Sequence, residues 1–185
     1  NFVNKIYILC IISFLLFMNT SAANDKMILK LETGNVEIEL YPDVAPAHVK
    51  RIKALAKNKE YDGVVFHRVI SGFMAQTGDV QFGNSKKFNS KLVGTGGSSL
   101  PDLKAEFSNL PHERGTLSMA RSMNPNSANS QFFICFDAAP HLDRQYTIFG
   151  KVVKGMELID KIKKGNDPNG SVENPDKIIS FSEIK

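Results

Sequence analysis

The sequence contains little cysteine, with only Cys10 and Cys135 among 185 residues. Cys10 lies in an N-terminal segment that we predict to be removed, so the remaining chain could form no internal disulfide. Cys135 lies in the apolar run QFFICF, and no histidine is placed to act as its base. We therefore predict a buried, inert thiol rather than a catalytic nucleophile.

Sequence patterns for metal, phosphate and nucleophile sites are also lacking. The four histidines, at positions 48, 67, 112 and 141, do not have metal-ligand spacing. The glycine-rich run from 94 to 97 lacks the Lys-Ser/Thr ending of a P-loop and is predicted to be a flexible surface loop. No serine lies in a G-x-S-x-G turn. The sequence therefore predicts no metal and no cofactor.

Neither sign of charge is concentrated in the chain. Lysine and arginine number 23 and the acidic residues 19, for a formal net charge of +4. The densest basic clusters, at 50–53 and 161–164, are interrupted by apolar positions, as on solvated helix faces. A nucleic-acid interface needs a sustained basic stripe, so we predict no nucleic-acid partner.

The apolar run from Ile6 to Met18 is shorter than the ~20 residues of a transmembrane helix. Lys5 precedes it and the small residues Ser21-Ala22-Ala23 follow it, which is the pattern of a secretory signal peptide. We predict a signal peptide over residues 1–23 and a single domain over residues 24–185. The expected location is periplasmic or secreted, with membrane anchoring only if the signal stays uncleaved.

The remaining sequence predicts many short strands and two helices. Apolar and polar residues alternate from Met27 to Glu32 and from Val36 to Tyr41, around a turn at Gly34, which predicts a hairpin. Pro46 opens a helical stretch, and a second short helix is predicted over Met156 to Lys163. Further strand-like runs are Val64 to Ile70, Gly115 to Ala120, Gln131 to Phe136, Tyr146 to Val153 and Lys177 to Ile184. These elements predict an antiparallel barrel or sandwich, between which the pattern does not decide.

The segment from Phe66 to Asp79, FHRVISGFMAQTGD, places one cation, Arg68, among apolar residues with the amide of Gln76 close behind. An isolated cation in apolar surroundings is costly unless its lost hydration is compensated. Arg68 therefore needs either a structural ion-pair partner or a substrate, and this segment alone favours the ion pair.

A second motif, GTLSMARSMNPNSANSQFFICF, runs from Gly115 to Phe136. Together with the Arg68 segment, GTGGSS from Gly94 and FGKVVKGMELID from Phe149, it closely resembles the cyclophilin family of peptidyl-prolyl cis-trans isomerases, in its bacterial branch. The resemblance covers nearly everything from Met27 to the C-terminus. It implies an all-β fold, a closed eight-stranded antiparallel β-barrel capped by two α-helices.

The resemblance also implies roles for ten residues. Arg68 matches the catalytic residue. The residues that match the pocket for the substrate proline are Phe73, Met74, Phe133 and Leu142. Tyr146 stands where eukaryotic members carry His and is expected to form an aromatic wall of this pocket. Residues that hydrogen-bond the peptide match Gln76 and Gln131, and a stretch that pairs with its backbone matches Ala120 and Arg121. Strand spacing says only that one of Phe132 and Phe133 faces outward, and the resemblance selects Phe133.

The expected chemistry suits these residue types. Rotation about an X-Pro bond has a barrier of about 18–20 kcal/mol and returns lone-pair density to the prolyl nitrogen. An arginine stays protonated and offers several fixed donors, so it can stabilise the twisted bond without a nucleophile or metal. The expected partners are proline-containing unfolded or flexible polypeptides, and a monomer is the default.

Two other functions remain open at this stage. The first is a peptide-binding chaperone module that holds proline-containing segments with incidental turnover. The second is a structural or lectin-like barrel, which would leave Arg68 without a role.

A further departure from the family is His141, which stands where many eukaryotic members carry Trp. We expect the drug cyclosporin, which Trp-bearing members bind well, to bind this chain poorly.

Overall fold

The computed structural model describes residues 25–184, so the predicted signal segment, residues 1–23, lies outside the described residues. Within that range the chain forms eight strands, two helices and one 3₁₀ turn. The strands are β1 Lys26–Leu31, β2 Gly34–Leu40, β3 Arg68–Ile70, β4 Met74–Thr77, β5 Thr116–Met119, β6 Phe132–Cys135, β7 Ile148–Lys154 and β8 Ser180–Glu183. The helices are α1 Pro46–Lys57 and α2 Met156–Asp160, and the 3₁₀ turn spans Pro140–Leu142.

All eight strands belong to one antiparallel sheet in the order β3-β4-β6-β5-β7-β2-β1-β8. The predicted eight antiparallel strands and two helices are confirmed. The predicted closure of the barrel is wrong, because the two end strands, β3 and β8, do not pair with each other. The sheet is an open half-barrel.

Closure fails because the free edge of β3 is bound to a loop instead of to β8. The amide of Val69 donates to the carbonyl of Gly170, and the amide of Gly165 donates to the carbonyl of Val69. The segment that precedes β3 meets the segment that precedes β8 at an isolated bridge between Val65 and Lys177, where the amides of Gly63, Phe66 and Ile178 donate across to the other segment. The gap is therefore covered by irregular backbone rather than by a strand ladder.

The β1–β2 hairpin follows directly from alternation in the sequence. Met27, Leu29 and Leu31 of β1 are buried, as are the apolar residues at 36, 38 and 40 of β2. Opposing residues of an antiparallel pair face the same side, so both strands present one apolar face to the core. Gly34 turns the chain with a φ of 143°, a conformation that favours glycine.

Helix α1 begins at Pro46 and buries the predicted apolar stripe, Val49, Ile52, Leu55 and Ala56. Its N-cap residue is alanine, whose side chain makes no capping hydrogen bond. The Glu106 carboxylate, which is 59 residues after Ala47 in the sequence, takes this role by accepting hydrogen bonds from the amides of Ala47 and His48, each at 3.1 Å.

The concave side of the sheet holds the main core, in which aromatic rings meet edge to face. The Phe132 ring lies 5.6 Å from the Tyr61 ring and 5.9 Å from the Phe149 ring, at interplanar angles of 86° and 89°. A second, smaller apolar cluster lies on the opposite face of β4 and β6. Between residues 25 and 184, no helix combines the length and the apolar character that a bilayer crossing requires.

Candidate active site

One row of side chains crosses four strands on the outer face of the sheet. The strand registers place Arg68 of β3 opposite Gln76 of β4, Gln76 opposite Phe133 of β6, and Phe133 opposite Ser118 of β5. Directly opposed residues point to the same face. Antiparallel pairing thus brings together a cation, an amide and an aromatic ring that are up to 65 residues apart in sequence.

The second apolar cluster forms a pocket of about 170 Å³ at this row. We call it the apolar pocket. Nine of the ten predicted site residues line it, namely Arg68, Phe73, Met74, Gln76, Ala120, Arg121, Phe133, Leu142 and Tyr146. The tenth, Gln131, lines an adjoining pocket of about 420 Å³ that shares Gln76, Ala120 and Arg121 with the first. The resemblance therefore selected residues that the fold brings together.

Arg68 is held at the pocket rim by neutral partners. Its Nε donates to the carbonyl of Asn169 at 2.9 Å, and its Nη1 donates to Oε1 of Gln76 at 3.2 Å. No ion pair joins Arg68 to a carboxylate anywhere in the part of the chain that the structure describes. The ion-pair alternative for Arg68 consequently has no partner among those residues.

The hydrogen bonds continue from Arg68 through both glutamines to the glycine-rich loop. Gln76 Nε2 donates to Gln131 Oε1 at 3.0 Å, and Gln131 Nε2 donates to the carbonyl of Gly96 at 2.8 Å. This chain fixes the two amides relative to the guanidinium.

The residues around Gly96 form a loop at the surface, as predicted, and hydrogen bonds to its backbone anchor it. The buried Asp79 carboxylate accepts hydrogen bonds from the amides of Gly94 and Gly96 with one oxygen. Its other oxygen accepts from the amides of Gln81 and Phe82. A Cβ on Gly96 would collide with Oδ1 of Asp79, so this position requires glycine.

The two neighbouring phenylalanines of β6 face opposite sides, as strand spacing predicts. Phe132 lies in the main core, and Phe133 lies in the cluster that lines the apolar pocket. The Tyr146 ring meets Phe133 edge-on, with 5.9 Å between the ring centroids. The Arg121 guanidinium lies over the Tyr146 ring, 4.4 Å from its centroid, while its Nε and Nη2 donate to the carbonyl of Gln145. Arg121 thereby fixes one wall of the pocket.

Sequence reasoning missed a buried polar group behind the pocket. The His112 ring stacks on Phe133 at a centroid distance of 6.2 Å and an interplanar angle of 14°. Its Nδ1 lies 3.0 Å from Asp143 Oδ1 and its Nε2 lies 2.9 Å from Ser118 Oγ. Burial lowers the pKa of His112 despite the nearby Asp143 carboxylate. Asp143 directly follows the pocket residue Leu142, so His112 connects the part of the pocket formed by Phe133 with the part formed by Leu142. No local sequence pattern signals this contact.

The remaining candidates for chemistry are inert. Cys135 is buried behind the pocket, and burial raises the pKa of its thiol to about 12, so it stays protonated. Across residues 25–184, no three His, Cys, Asp or Glu side chains are grouped so as to hold a metal ion. The site therefore offers hydrogen-bond donors and an apolar cavity rather than a nucleophile.

A family model for the cyclophilin type peptidyl-prolyl cis-trans isomerases matches residues 26–183. The chain belongs to this family. Its curated relatives include a protein of Brucella suis biovar 1 named "Probable peptidyl-prolyl cis-trans isomerase". That protein is 61% identical over 167 residues, which cover 88% of this chain and 85% of that protein. A peptidyl-prolyl cis-trans isomerase of Acinetobacter baylyi is 42% identical over 154 residues, covering 80% of this chain and 77% of that one.

A solved cyclophilin from Cryptosporidium parvum, crystallised in the presence of the dipeptide Ala-Pro, has the same fold. It superimposes with a TM-score of 0.74 at 27% identity, covering 86% of this chain and 99% of that one. Family, relatives and fold agree, so this cyclophilin is a peptidyl-prolyl cis-trans isomerase.

Proposed function

We propose that this cyclophilin binds proline-containing segments of unfolded or flexible polypeptides in the apolar pocket, with Arg68 as the catalytic donor. The observation that carries the proposal is the state of the Arg68 guanidinium at the rim of that pocket. Arginine has five N–H donors, and Asn169 and Gln76 accept from two of them. Within the described residues the other three have no hydrogen-bond partner, and Arg68 is one of the residues that line the cavity of about 170 Å³.

The geometry suits stabilisation of a twisted imide. A prolyl ring in the apolar pocket would contact Phe133, Met74 and Leu142, whose burial excludes water from the bond next to the ring. In such surroundings a preorganised donor stabilises developing charge more strongly than in water. Arg68 would donate to the prolyl nitrogen as rotation about the bond returns its lone pair. No covalent bond is made or broken.

The first test is the substitution Arg68→Ala, assayed by proline isomerisation in a short X-Pro peptide. We expect the rate constant to fall by about 10²–10³, comparable with the loss of one preorganised transition-state donor. Arg68→Lys keeps the charge but not the planar fork, and should give an intermediate rate. Arg114→Ala is the matched control, because Arg114 is exposed and pairs with Asp160 outside the pocket. Near-native activity in Arg68→Ala would remove Arg68 from the mechanism.

A holding function with incidental turnover would use the same pocket and is separated by kinetics. For a catalyst, resonances of the cis and trans forms of a proline peptide broaden at substoichiometric protein. For a holding module, binding is seen without this exchange. The presence of an oriented, unpaired donor beside the cavity favours catalysis, since holding an apolar ring does not need it.

The proposed clients are exported proteins, on the strength of the signal-like pattern at residues 1–23. The intact mass of the protein recovered from the periplasm or medium tests this. We expect a mass that lacks about the first 23 residues, whereas an uncut protein retained in the cytoplasm would contradict export.

A further inference from the structure

A second depression lies on the other side of Arg68 from the apolar pocket and has no part in the roles assigned above. Its volume is about 950 Å³, compared with about 170 Å³ for the apolar pocket. We call it the outer groove. The two cavities share Arg68 and Gln76 as a common border, so a chain that leaves the apolar pocket over Arg68 enters the outer groove directly.

The two walls of the outer groove differ in character. One wall carries Phe88 and Val93 from the loop that follows β4, and the other carries Asp167 and Glu173 from the loop that follows α2. Phe88 is 39% exposed, although large apolar side chains are ordinarily buried. One wall thus offers apolar surface and the other offers negative charge.

Both walls are built by the backbone in the absence of any ligand. Asn89 folds the first loop, because its carbonyl accepts hydrogen bonds from the amides of Leu92 and Val93. In the second loop the amide of Ser171 donates to Asp167 Oδ1, and the amide of Val172 donates to the carbonyl of His67 beside Arg68. The groove is therefore preformed, and a peptide would not have to order it on binding.

Within residues 25–184 the acidic side chains of the outer groove are not ion-paired, and the Lys163 ammonium nearby donates to the backbone carbonyl of Glu173 rather than to its carboxylate. Hydrogen bonds from the amide of Ser171 and its neighbours hold the pKa of Asp167 below its ordinary value, so this carboxyl is ionised near neutrality. Among the residues that the structure describes, neither Asp167 nor Glu173 is in an ion pair. The cation at the border, Arg68, is directed to Gln76 and Asn169 instead.

We propose that the outer groove is a second substrate site that selects polypeptides with a lysine or arginine near the proline, on one side of it. The proposal rests on the proposed function of the apolar pocket. A cavity of this size accommodates several residues, since pockets of about 300–1,000 Å³ enclose a drug-sized ligand. The aliphatic stem of a lysine or arginine packs on apolar surface while its charged end reaches a carboxylate. Phe88 and the two acids supply both partners.

The test compares peptides of about ten residues with one central proline and a single guest residue. The guest is Ala, Lys or Glu, placed in turn at each position before and after the proline, and exchange NMR gives the isomerisation rate at low ionic strength. The readout is the ratio of kcat/KM for the Lys peptide to kcat/KM for the matching Ala peptide. We expect a ratio of about two to five on one side of the proline, a ratio below one for Glu, and a loss of both effects in ~0.5 M salt.

The double variant Asp167→Asn/Glu173→Gln should bring the Lys-to-Ala ratio to one, and Asn at 167 keeps the oxygen that accepts from Ser171. The control, Asp43→Asn/Glu157→Gln, removes the same charge at two exposed positions outside the groove and should leave the ratio unchanged. A ratio of one for the native protein, with short X-Pro peptides still isomerised, would overturn the outer groove alone. A ratio that survives the double variant would do the same. Failure to isomerise the short peptides would overturn the function proposed for the apolar pocket as well.

Discussion

Individual side chains around the apolar pocket are held to very different degrees. The guanidinium of Arg121 makes three hydrogen bonds to carbonyl groups and covers Tyr146. His141, by contrast, is exposed, and its ring meets the Phe73 ring at a centroid distance of 5.4 Å and an angle of 43°. The Arg121 side of the apolar pocket is therefore firmly held, whereas His141, which is not among the residues that line the pocket, is open to water.

We expect the residue at position 141 to determine the affinity for cyclosporin. The imidazole offers less apolar surface than the indole that Trp-bearing members carry, so the native protein should bind the drug weakly. His141→Trp should tighten binding by about tenfold, because the added apolar contact contributes about 1–2 kcal/mol. Isothermal titration calorimetry measures both constants, with His141→Phe to separate ring size from the indole N–H. Tight binding to the native protein would contradict the expectation.

The elements near the site show which features a sequence pattern can predict. The β1–β2 hairpin and α1 were predicted because each has one buried apolar face and one solvent-exposed face. The apolar residues therefore recur at a regular spacing in the sequence. Strand β4 was not predicted, because Ala75 and Thr77 face the core while Met74 and Gln76 face the pocket cluster. With both faces covered, alternation is lost.

The candidate site was predictable only through its motifs. The registers that align Arg68, Gln76 and Phe133 join separate strands, and no local pattern encodes them. The pairing of His112 with Asp143 spans 31 residues and depends on tertiary packing. Closure of the barrel was predicted wrongly because the loop after α2 competes with β8 for the edge of β3.

Helix α1 provides a stability prediction at the scale of one element. Glu106 accepts from two first-turn amides, and its Oε2 also lies 2.5 Å from Nδ1 of His48. Burial disfavours ionisation of Glu106, but these hydrogen bonds outweigh it and lower its pKa. We expect Glu106→Ala to reduce the free energy of unfolding by about 1–3 kcal/mol, through loss of the cap and exposure of unpaired donors. Urea denaturation measures this change.

The control for Glu106→Ala is Glu32→Ala. Glu32 is 69% exposed at its side chain, and its ion pair with Lys177 is long at 3.9 Å. Surface pairs of this kind contribute little, so we expect a change within about 0.5 kcal/mol. Equal destabilisation by the two substitutions would show that Glu106 does not cap the helix.

For the molecule as a whole, buried histidines set the response to acid. His67 is 8% exposed, and burial lowers its pKa to about 4 from an ordinary value of 6.5. Burial also lowers the pKa of His48 and of His112. Between pH 6.5 and 4 the unfolded chain therefore binds more protons than the folded one, and the free energy of unfolding falls as the pH falls through this window.

The contribution of His67 can be isolated by substitution. A shift of this size corresponds to roughly 3 kcal/mol of stability that is present above pH 6.5 and lost by pH 4. In His67→Gln the dependence of stability on pH in this window should weaken by about that amount, as measured by urea denaturation at a series of pH values. His141→Gln, at an exposed histidine, should retain the full dependence. An unchanged slope in His67→Gln would assign the acid response to other groups.

The Asp79 carboxylate fixes both ends of one loop. It accepts hydrogen bonds from the amides of Gln81 and Phe82, where the loop begins, and from the amides of Gly94 and Gly96, where it ends. Residues 83–85 are also bound to residues 62–65, through the amides of Val65 and Ser85 and the side chain of Asn84. We therefore expect the remaining stretch, 86–93, to tolerate changes of length and composition without moving Gln131, since lengthening a closed loop costs little entropy. Replacing this part of the loop with a different sequence would change one wall of the outer groove while leaving the apolar pocket as it is.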